Sequence, residues 1–148
     1  MAMALAISKA SFKDLTIWPG WELMYLWKDP TPDGQPPNNW IGRFDGLSAW
    51  EWDDATQQYY LHSFLKEQPD LNWRDPECEA AMLDVLDFWI KRGVDGFRVD
   101  AAYRAYKDPA FRDNPVNHDW KPGMEPSDKL REVFSKNVPD IHDFNKKV

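Results

Sequence analysis

The fold class follows from residues 75–100, which read DPECEAAMLDVLDFWIKRGVDGFRVD. Asp75 is a favourable helix N-cap, and Pro76 is a favourable first helical residue. Apolar side chains then recur at helical spacing and define one face, formed by Met82, Leu83, Leu86, Trp89 and Ile90. This pattern predicts a helix over about residues 76–91 that ends at Gly93.

Residues 94–100 begin directly after that glycine and predict a short buried strand. A helix, a tight glycine turn and a buried strand together form an αβ unit of a parallel sheet. The predicted fold class is therefore α/β.

The remaining segments predict a loop, a hairpin and short helices. Residues 28–39 hold four prolines and predict a loop that extends to residue 46. Residues 48–53 and 58–64 are rich in aromatics and predict a β-hairpin around a turn at 54–57. Three further helices are predicted, at residues 11–15, at residues 127–136 with Ser127 as cap, and from Ile141 onwards.

Composition limits the class of ligand. Eighteen basic and 25 acidic residues give a net charge of −7, which argues against a nucleic-acid partner. Nine tryptophans are compatible with a binding cleft for a neutral ligand such as a sugar. The single cysteine, Cys78, cannot form an intrachain disulfide, which favours a reducing, cytoplasmic location. No apolar run approaches the roughly 18–20 residues of a membrane span.

Arg98 and Asp100 carry the clearest chemical signal. Side chains alternate along a strand, so both would point the same way at its C-terminal end, where barrels of αβ units build their active sites. A nearby arginine favours the ionised carboxylate, the form that attacks an anomeric carbon. From the spacing alone, a structural ion pair at the strand end is the commoner arrangement, and a catalytic carboxylate is the alternative.

Four motifs together resemble the α-amylase superfamily of glycoside hydrolases, in its α-glucosidase and oligo-1,6-glucosidase version. They are GFRVD at 96–100, QPDLN at 68–72, PNNW at 37–40 and SAWEWD at 48–53. They stand in the family's order at near-family spacing over residues 27–148. The resemblance implies a fragment of a (β/α)8 barrel around strand four at residues 75–148, and part of an inserted loop and β-rich domain at residues 27–74. Residues 1–26 match poorly.

The resemblance also implies site residues. Asp100 resembles the catalytic nucleophile, and Arg98 resembles the arginine that orients it. Phe44, Phe64 and Gln68 resemble residues of the sugar pocket, although the segment around Phe44 is one residue longer than usual. A small residue at Ala101 resembles glucosidases that prefer α-1,4 over α-1,6 linkages. His62 is expected to make a structural hydrogen bond. No cofactor and no metal ion are expected.

The resemblance further implies a retaining α-glucosidase that cleaves terminal α-linked glucose from oligosaccharides through a glycosyl-aspartate intermediate. Such enzymes need a second, acidic carboxyl group. Glu125 and Glu132 follow the strand, but neither stands in the family's acid/base context. The isolated chain is therefore expected to be inactive, and the unpaired barrel edges are expected to cause self-association.

Three alternatives stay open. The first is a transglycosylase of the same superfamily, such as a trehalose or isomaltulose synthase, which shares the nucleophile. The second is a non-catalytic amylase-like module, against which the retention of Arg98 and Asp100 argues. The third is a truncated gene product without an independent role, for which the poorly matching residues 1–26 are the reason.

Overall fold

The computed structural model of the protein describes residues 24–147. The helix predicted at residues 11–15 lies outside them. The elements are three strands and two α-helices, β1 Trp27–Lys28, β2 Trp50–Asp53, β3 Gln58–Leu61, α1 Pro76–Ile90 and α2 Ile141–Phe144. Two 3₁₀ helices, Ala102–Arg104 and Pro126–Lys129, complete the regular structure.

The three strands form one antiparallel sheet in the order β1-β3-β2. The pairing of β2 with β3 confirms the predicted hairpin, with Trp50 opposite Leu61 and Asp53 opposite Gln58. The turn is closed by the Asp53 carboxylate, which accepts hydrogen bonds from the main-chain N–H and the hydroxyl of Thr56 at 2.8 and 2.9 Å. The hairpin strands are shorter than predicted.

An aromatic core attaches the proline-rich loop to a distant segment of the chain. The Trp40 ring is 1% exposed and stacks on Phe111, with ring centroids 5.5 Å apart. The indole N–H of Trp40 donates to the main-chain oxygen of Arg112 at 2.9 Å. The side chain of Asn39 likewise donates to the Asn114 carbonyl at 2.9 Å. The loop and the hairpin therefore pack against residues that follow the GFRVD motif.

Helix α1 begins as the sequence predicts. The Asp75 carboxylate accepts the N–H groups of Glu77 and Cys78 at 2.9 and 3.0 Å, which satisfies two N–H groups that lack partners within the helix. Gly93 has a φ of 88°, a left-handed conformation that glycine adopts without strain. The apolar face is poorly covered, however, since Ile90 is 54% exposed and Cys78 is the only buried residue of the helix.

The strand predicted at residues 94–100 does not form, and this prediction is wrong. Residues 94–99 have no regular structure, and Asp100 lies in a turn. A buried parallel strand needs a hydrogen-bonding neighbour at its edges, and none of the described strands pairs with this segment. Ala101 instead takes a φ of 54° and leads directly into the first 3₁₀ helix.

The helix predicted at residues 127–136 is also wrong. Glu125, rather than Ser127, stands at the N-cap of the second 3₁₀ helix, and Ser127 is buried inside that helix. Pro126 fixes the backbone at the first helical position. Leu130 then becomes extended and forms an isolated bridge with Val116, which ends the helix after one turn. The prediction of a helix from Ile141 is confirmed, as one turn.

A second core joins α2 to the segment after Asp100. It contains Tyr106, Val138, Ile141 and Phe144. Trp73 packs edge-on against Phe144, with ring centroids 4.8 Å apart. Through this core, the residues before α1 contact both the chain after Asp100 and α2. The described chain thus shows the predicted α/β class only in part, because it forms a small antiparallel sheet and two helices.

Candidate functional site

A cleft of about 420 Å³ lies between the end of the hairpin and the segment that follows the GFRVD motif. It brings together five of the six predicted site residues, which are Phe44, Phe64, Gln68, Asp100 and Ala101. Pockets of this kind combine apolar and aromatic walls with a few polar groups that orient the ligand. Arg98 is the sixth predicted residue and is not part of the cleft lining.

Arg98 nevertheless contacts the predicted nucleophile. Its Nη2 atom lies 3.4 Å from Oδ2 of Asp100. The side chains are 71% and 66% exposed, respectively. Solvent screens an ion pair of this kind, so its contribution to the free energy of folding is small. What the contact can do is restrict the direction of the Asp100 carboxylate at the mouth of the cleft.

Two phenylalanines form one wall of the cleft. The rings of Phe44 and Phe64 lie 5.6 Å apart between centroids and are tilted by 42°. Phe44 is 62% exposed and belongs to a loop that is held from below. The Arg43 guanidinium in that loop donates to the buried Ser127 hydroxyl at 2.8 Å and lies 3.3 Å from the Asp128 carboxylate. The loop therefore keeps Phe44 at the cleft despite its unusual length.

A buried lysine lies behind the opposite wall. Nζ of Lys107 lies 2.8 Å from the Asp70 carboxylate and 3.1 Å from the Ser63 hydroxyl, and it also donates to the Arg104 carbonyl. Burial lowers the pKa of Lys107 below its ordinary value, although Asp70 acts in the opposite direction. Asp70 belongs to the QPDLN motif, so this lysine connects that motif to the segment after Asp100.

Arg104 and Glu132 form a second buried pair at the cleft. Nη2 of Arg104 lies 2.8 and 3.2 Å from the two carboxylate oxygens of Glu132, and the side chains are 6% and 5% exposed. Lys136 adds a further contact to Glu132 at 2.5 Å. Burial on its own would raise the pKa of Glu132, but Lys136 and Arg104 together lower it below its ordinary value. Glu132 is therefore held as a carboxylate.

Arg104, Lys107 and Asp70 were not among the predicted site residues. Asp70 stood inside a quoted motif, which was the one available signal, but only Gln68 of that motif was assigned a role. The two cations lie in an irregular segment without hydrophobic periodicity, so no sequence pattern marks them as buried.

The expectation for His62 is wrong within the described residues. The residue is 2% exposed, but neither ring nitrogen has a hydrogen-bond partner among residues 24–147. Its main-chain N–H donates to the Ala49 carbonyl at 2.8 Å and so continues the hairpin ladder. The ring packs near Tyr60, with centroids 6.1 Å apart.

Two further searches cover the same part of the chain. Among residues 24–147, no group of three or more His, Cys, Asp or Glu side chains is arranged to hold a metal ion. Nor does any helix in this range have the length and apolar character needed to cross a membrane.

Comparison with known proteins identifies the family. The model of the alpha-amylase catalytic domain matches residues 16–148. A probable alpha-glucosidase of Rhizobium meliloti is 44% identical and aligns with 83% of this chain and 23% of its own length. An alpha-glucosidase of Culex pipiens is 45% identical, with 84% and 21% covered. An oligo-1,6-glucosidase of Heyndrickxia coagulans is 43% identical, with 81% and 20% covered.

Solved structures agree with the sequence relatives. The alpha-glucosyl transfer enzyme XgtA superposes with a TM-score of 0.77 at 42% identity, over 83% of this chain and 24% of that one. Isomaltulose synthase from Erwinia rhapontici superposes with a TM-score of 0.64 at 36% identity, over 86% and 21%. The fold and cleft are thus those of a carbohydrate-active enzyme, and a fragment of a (β/α)8 barrel fits these neighbours.

The chain belongs to the α-amylase family of glycoside hydrolases. It spans between 20% and 24% of the length of the relatives and structures named above.

Proposed function

We propose that this chain supplies the nucleophile and part of the sugar pocket of a retaining α-glucosidase. The observation that carries the proposal is the position of Asp100, which lines one cleft with Phe44, Phe64 and Gln68. Relatives named alpha-glucosidase and oligo-1,6-glucosidase support the same class of substrate. The substrate would be an oligosaccharide with a terminal α-linked glucose.

The chemistry follows from the geometry of a carboxylate nucleophile. An oxygen of Asp100 forms a bond to the anomeric carbon while the glycosidic C–O bond breaks, and the leaving oxygen must take up a proton. Arg98 restricts the Asp100 carboxylate before the attack. Water then hydrolyses the glycosyl-aspartate intermediate. The small Ala101 side chain leaves room beside the cleaved bond, which favours α-1,4 over α-1,6 linkages.

The organisation of the chain follows the same reading. Residues 27–74 would be part of the inserted domain and residues 75–148 part of the barrel. We place the protein in the cytoplasm, since Cys78 has no second cysteine to pair with. Burial raises the pKa of the Cys78 thiol to about 11, which makes it unreactive there.

A transglycosylase is the second candidate. XgtA is an alpha-glucosyl transfer enzyme, and the Erwinia rhapontici protein is an isomaltulose synthase. Both reactions can proceed from the same glycosyl-aspartate and differ in whether water or a sugar hydroxyl accepts the glucosyl group. A non-catalytic module would not need Asp100 and Arg98 paired at a cleft, so it is disfavoured.

The test uses a substrate that needs no acid catalyst. 5-Fluoro-α-D-glucosyl fluoride releases fluoride, which leaves with its electron pair and needs no proton from the protein. We expect the chain to gain one 5-fluoroglucosyl group, located on Asp100 by peptide mass spectrometry. Asp100→Asn should abolish the adduct, because an amide is a far weaker nucleophile.

Asp95→Asn is the matched control. Asp95 is exposed in the same irregular segment, but it does not line the cleft. This variant should react as the unsubstituted chain does. An adduct on a residue other than Asp100, or none at all under conditions where the chain is folded, would refute the proposed function.

Self-association is expected through the uncovered apolar surface. Phe88 and Ile90 on α1 are 45% and 54% exposed, and Val99 is 44% exposed. Clusters of exposed apolar side chains favour association in water. Sedimentation velocity across a hundredfold concentration range should show species larger than the monomer. A single monomeric species with a sharp cooperative melt would contradict this expectation.

A further inference from the structure

The ion pair between Arg104 and Glu132 has no role in the chemistry described so far. Arg104 is the fourth residue after Asp100, ends the first 3₁₀ helix and lines the cleft. Both carboxylate oxygens of Glu132 contact its Nη2 atom, at 2.8 and 3.2 Å. Glu132 is itself held by Lys136 at 2.5 Å and by the Ser135 hydroxyl at 3.5 Å. The guanidinium therefore has little freedom to move.

Stability alone is a weak explanation for this pair. Removing two charges from water offsets most of their attraction, so apolar residues of similar volume would often stabilise the fold equally well. The Nε atom of Arg104 is also buried without a hydrogen-bond partner among residues 24–147. A buried donor left unsatisfied adds a further cost. Such costs are characteristic of sites where position matters more than stability.

The contacts of Arg104 indicate what it positions. Its guanidinium carbon lies 5.5 Å from the centroid of the Phe64 ring, within the range of a cation–π contact. Phe64 in turn lies against Phe44, with centroids 5.6 Å apart. On the other side, the Arg104 carbonyl accepts a hydrogen bond from the buried Lys107. Arg104 thus connects the aromatic wall with the segment that carries Asp100.

We propose that Arg104, clamped by Glu132, is a positioning residue that holds the Phe44–Phe64 wall in register with Asp100 and thereby sets the affinity for the sugar ring. The inference rests on the proposed function and deepens it. Arg104 acts through Phe64 and takes no part in bond making. Its loss should therefore weaken binding and leave the rate of the chemical step nearly unchanged.

The inactivation kinetics of the chain with 5-fluoro-α-D-glucosyl fluoride separate these two effects. The reagent concentration at half-maximal rate reports binding, and the maximal rate reports attack by Asp100. Arg104→Met should raise the half-maximal concentration about five- to tenfold, the loss expected for one desolvated cation–π contact. The maximal rate should change less than about twofold on the same argument. Glu132→Gln, which removes the clamping charge, should shift binding in the same direction.

Arg112→Met is the matched control. Arg112 also pairs with a carboxylate, Asp108, at 2.9 Å and also lies over a phenylalanine ring, that of Phe134 at 4.1 Å. It does not line the cleft. This variant should keep both kinetic parameters of the unsubstituted chain.

A double-mutant cycle decides whether Arg104 acts through Phe64. Phe64→Leu should weaken binding to a similar extent, and adding Arg104→Met to it should give little further loss. If Arg104→Met loses the near-ultraviolet circular dichroism of the folded chain, Glu132→Gln takes its place in the cycle. Additive losses, or a lower maximal rate with unchanged binding, would overturn this inference alone. An unsubstituted chain that forms no adduct would overturn the proposed function as well.

Discussion

Asp70→Asn is expected to lower the free energy of unfolding by about 3–5 kcal/mol, because it leaves the buried Lys107 ammonium without its counter-charge. The two side chains are only 13% and 3% exposed, and the ion pair spans 2.8 Å. Asparagine has nearly the same shape and can still accept the Ser63 N–H, which Asp70 now accepts at 2.9 Å. The loss would therefore measure the charge rather than the packing. Urea unfolding followed by tryptophan fluorescence provides the measurement.

Two further variants separate burial of the pair from charge in general. Asp119→Asn removes one partner of an exposed pair with Arg131, whose side chains are 83% and 55% exposed, and should change the stability by less than about 1 kcal/mol. Combining Asp70→Asn with Lys107→Met removes the orphaned charge and should recover much of the lost stability. If Asp70→Asn cost no more than Asp119→Asn, the pair would not be an anchor between these segments.

The sequence predicted those elements whose determinants are local. The Asp75 cap, the proline that follows it and Gly93 all lie within the α1 region and act on their own neighbours. The hairpin is likewise defined by adjacent strands and a short turn. Such signals are present wherever these residues occur, and they do not depend on how the rest of the chain is arranged.

The strand at residues 94–100 failed for the opposite reason. Its apolar residues fit a buried strand, but a strand is defined by hydrogen bonds to neighbours and not by its own sequence. Among residues 24–147 the only sheet is the small antiparallel one, which does not include this segment. The helix at residues 127–136 failed because Leu130 pairs with Val116, a contact that periodicity cannot reveal.

The site divides along the same line. The motifs named Phe44, Phe64, Gln68, Asp100 and Ala101, and these residues meet at one cleft. The groups behind them were missed, because Arg104 and its partner Glu132 are separated by 28 positions in irregular chain. A charged residue in such a segment is ordinarily solvated, and only the three-dimensional contacts distinguish a buried one.

Purified on its own, the 148-residue chain should hydrolyse neither maltose nor p-nitrophenyl α-glucoside, although 5-fluoro-α-D-glucosyl fluoride should label it. Retaining glycosidases use two carboxyl groups about 5–5.5 Å apart, one as nucleophile and one as acid. Among residues 24–147, the only carboxyl groups that line the cleft are those of Asp70 and Asp100. Asp70 is paired with Lys107 at 2.8 Å and also accepts the Ser63 hydroxyl.

Glu132 cannot supply the missing proton, although it lies beside Arg104 of the cleft. Lys136 and Arg104 lower its pKa below the ordinary value despite its burial, so it is ionised at neutral pH. A well-placed general acid contributes roughly 10²–10⁴-fold to such a reaction, and its absence should reduce turnover below detection. Glucose release measured with a coupled assay provides the test. Maltose hydrolysis that is lost in Asp100→Asn and also in Glu132→Gln would contradict the prediction and identify Glu132 as the acid.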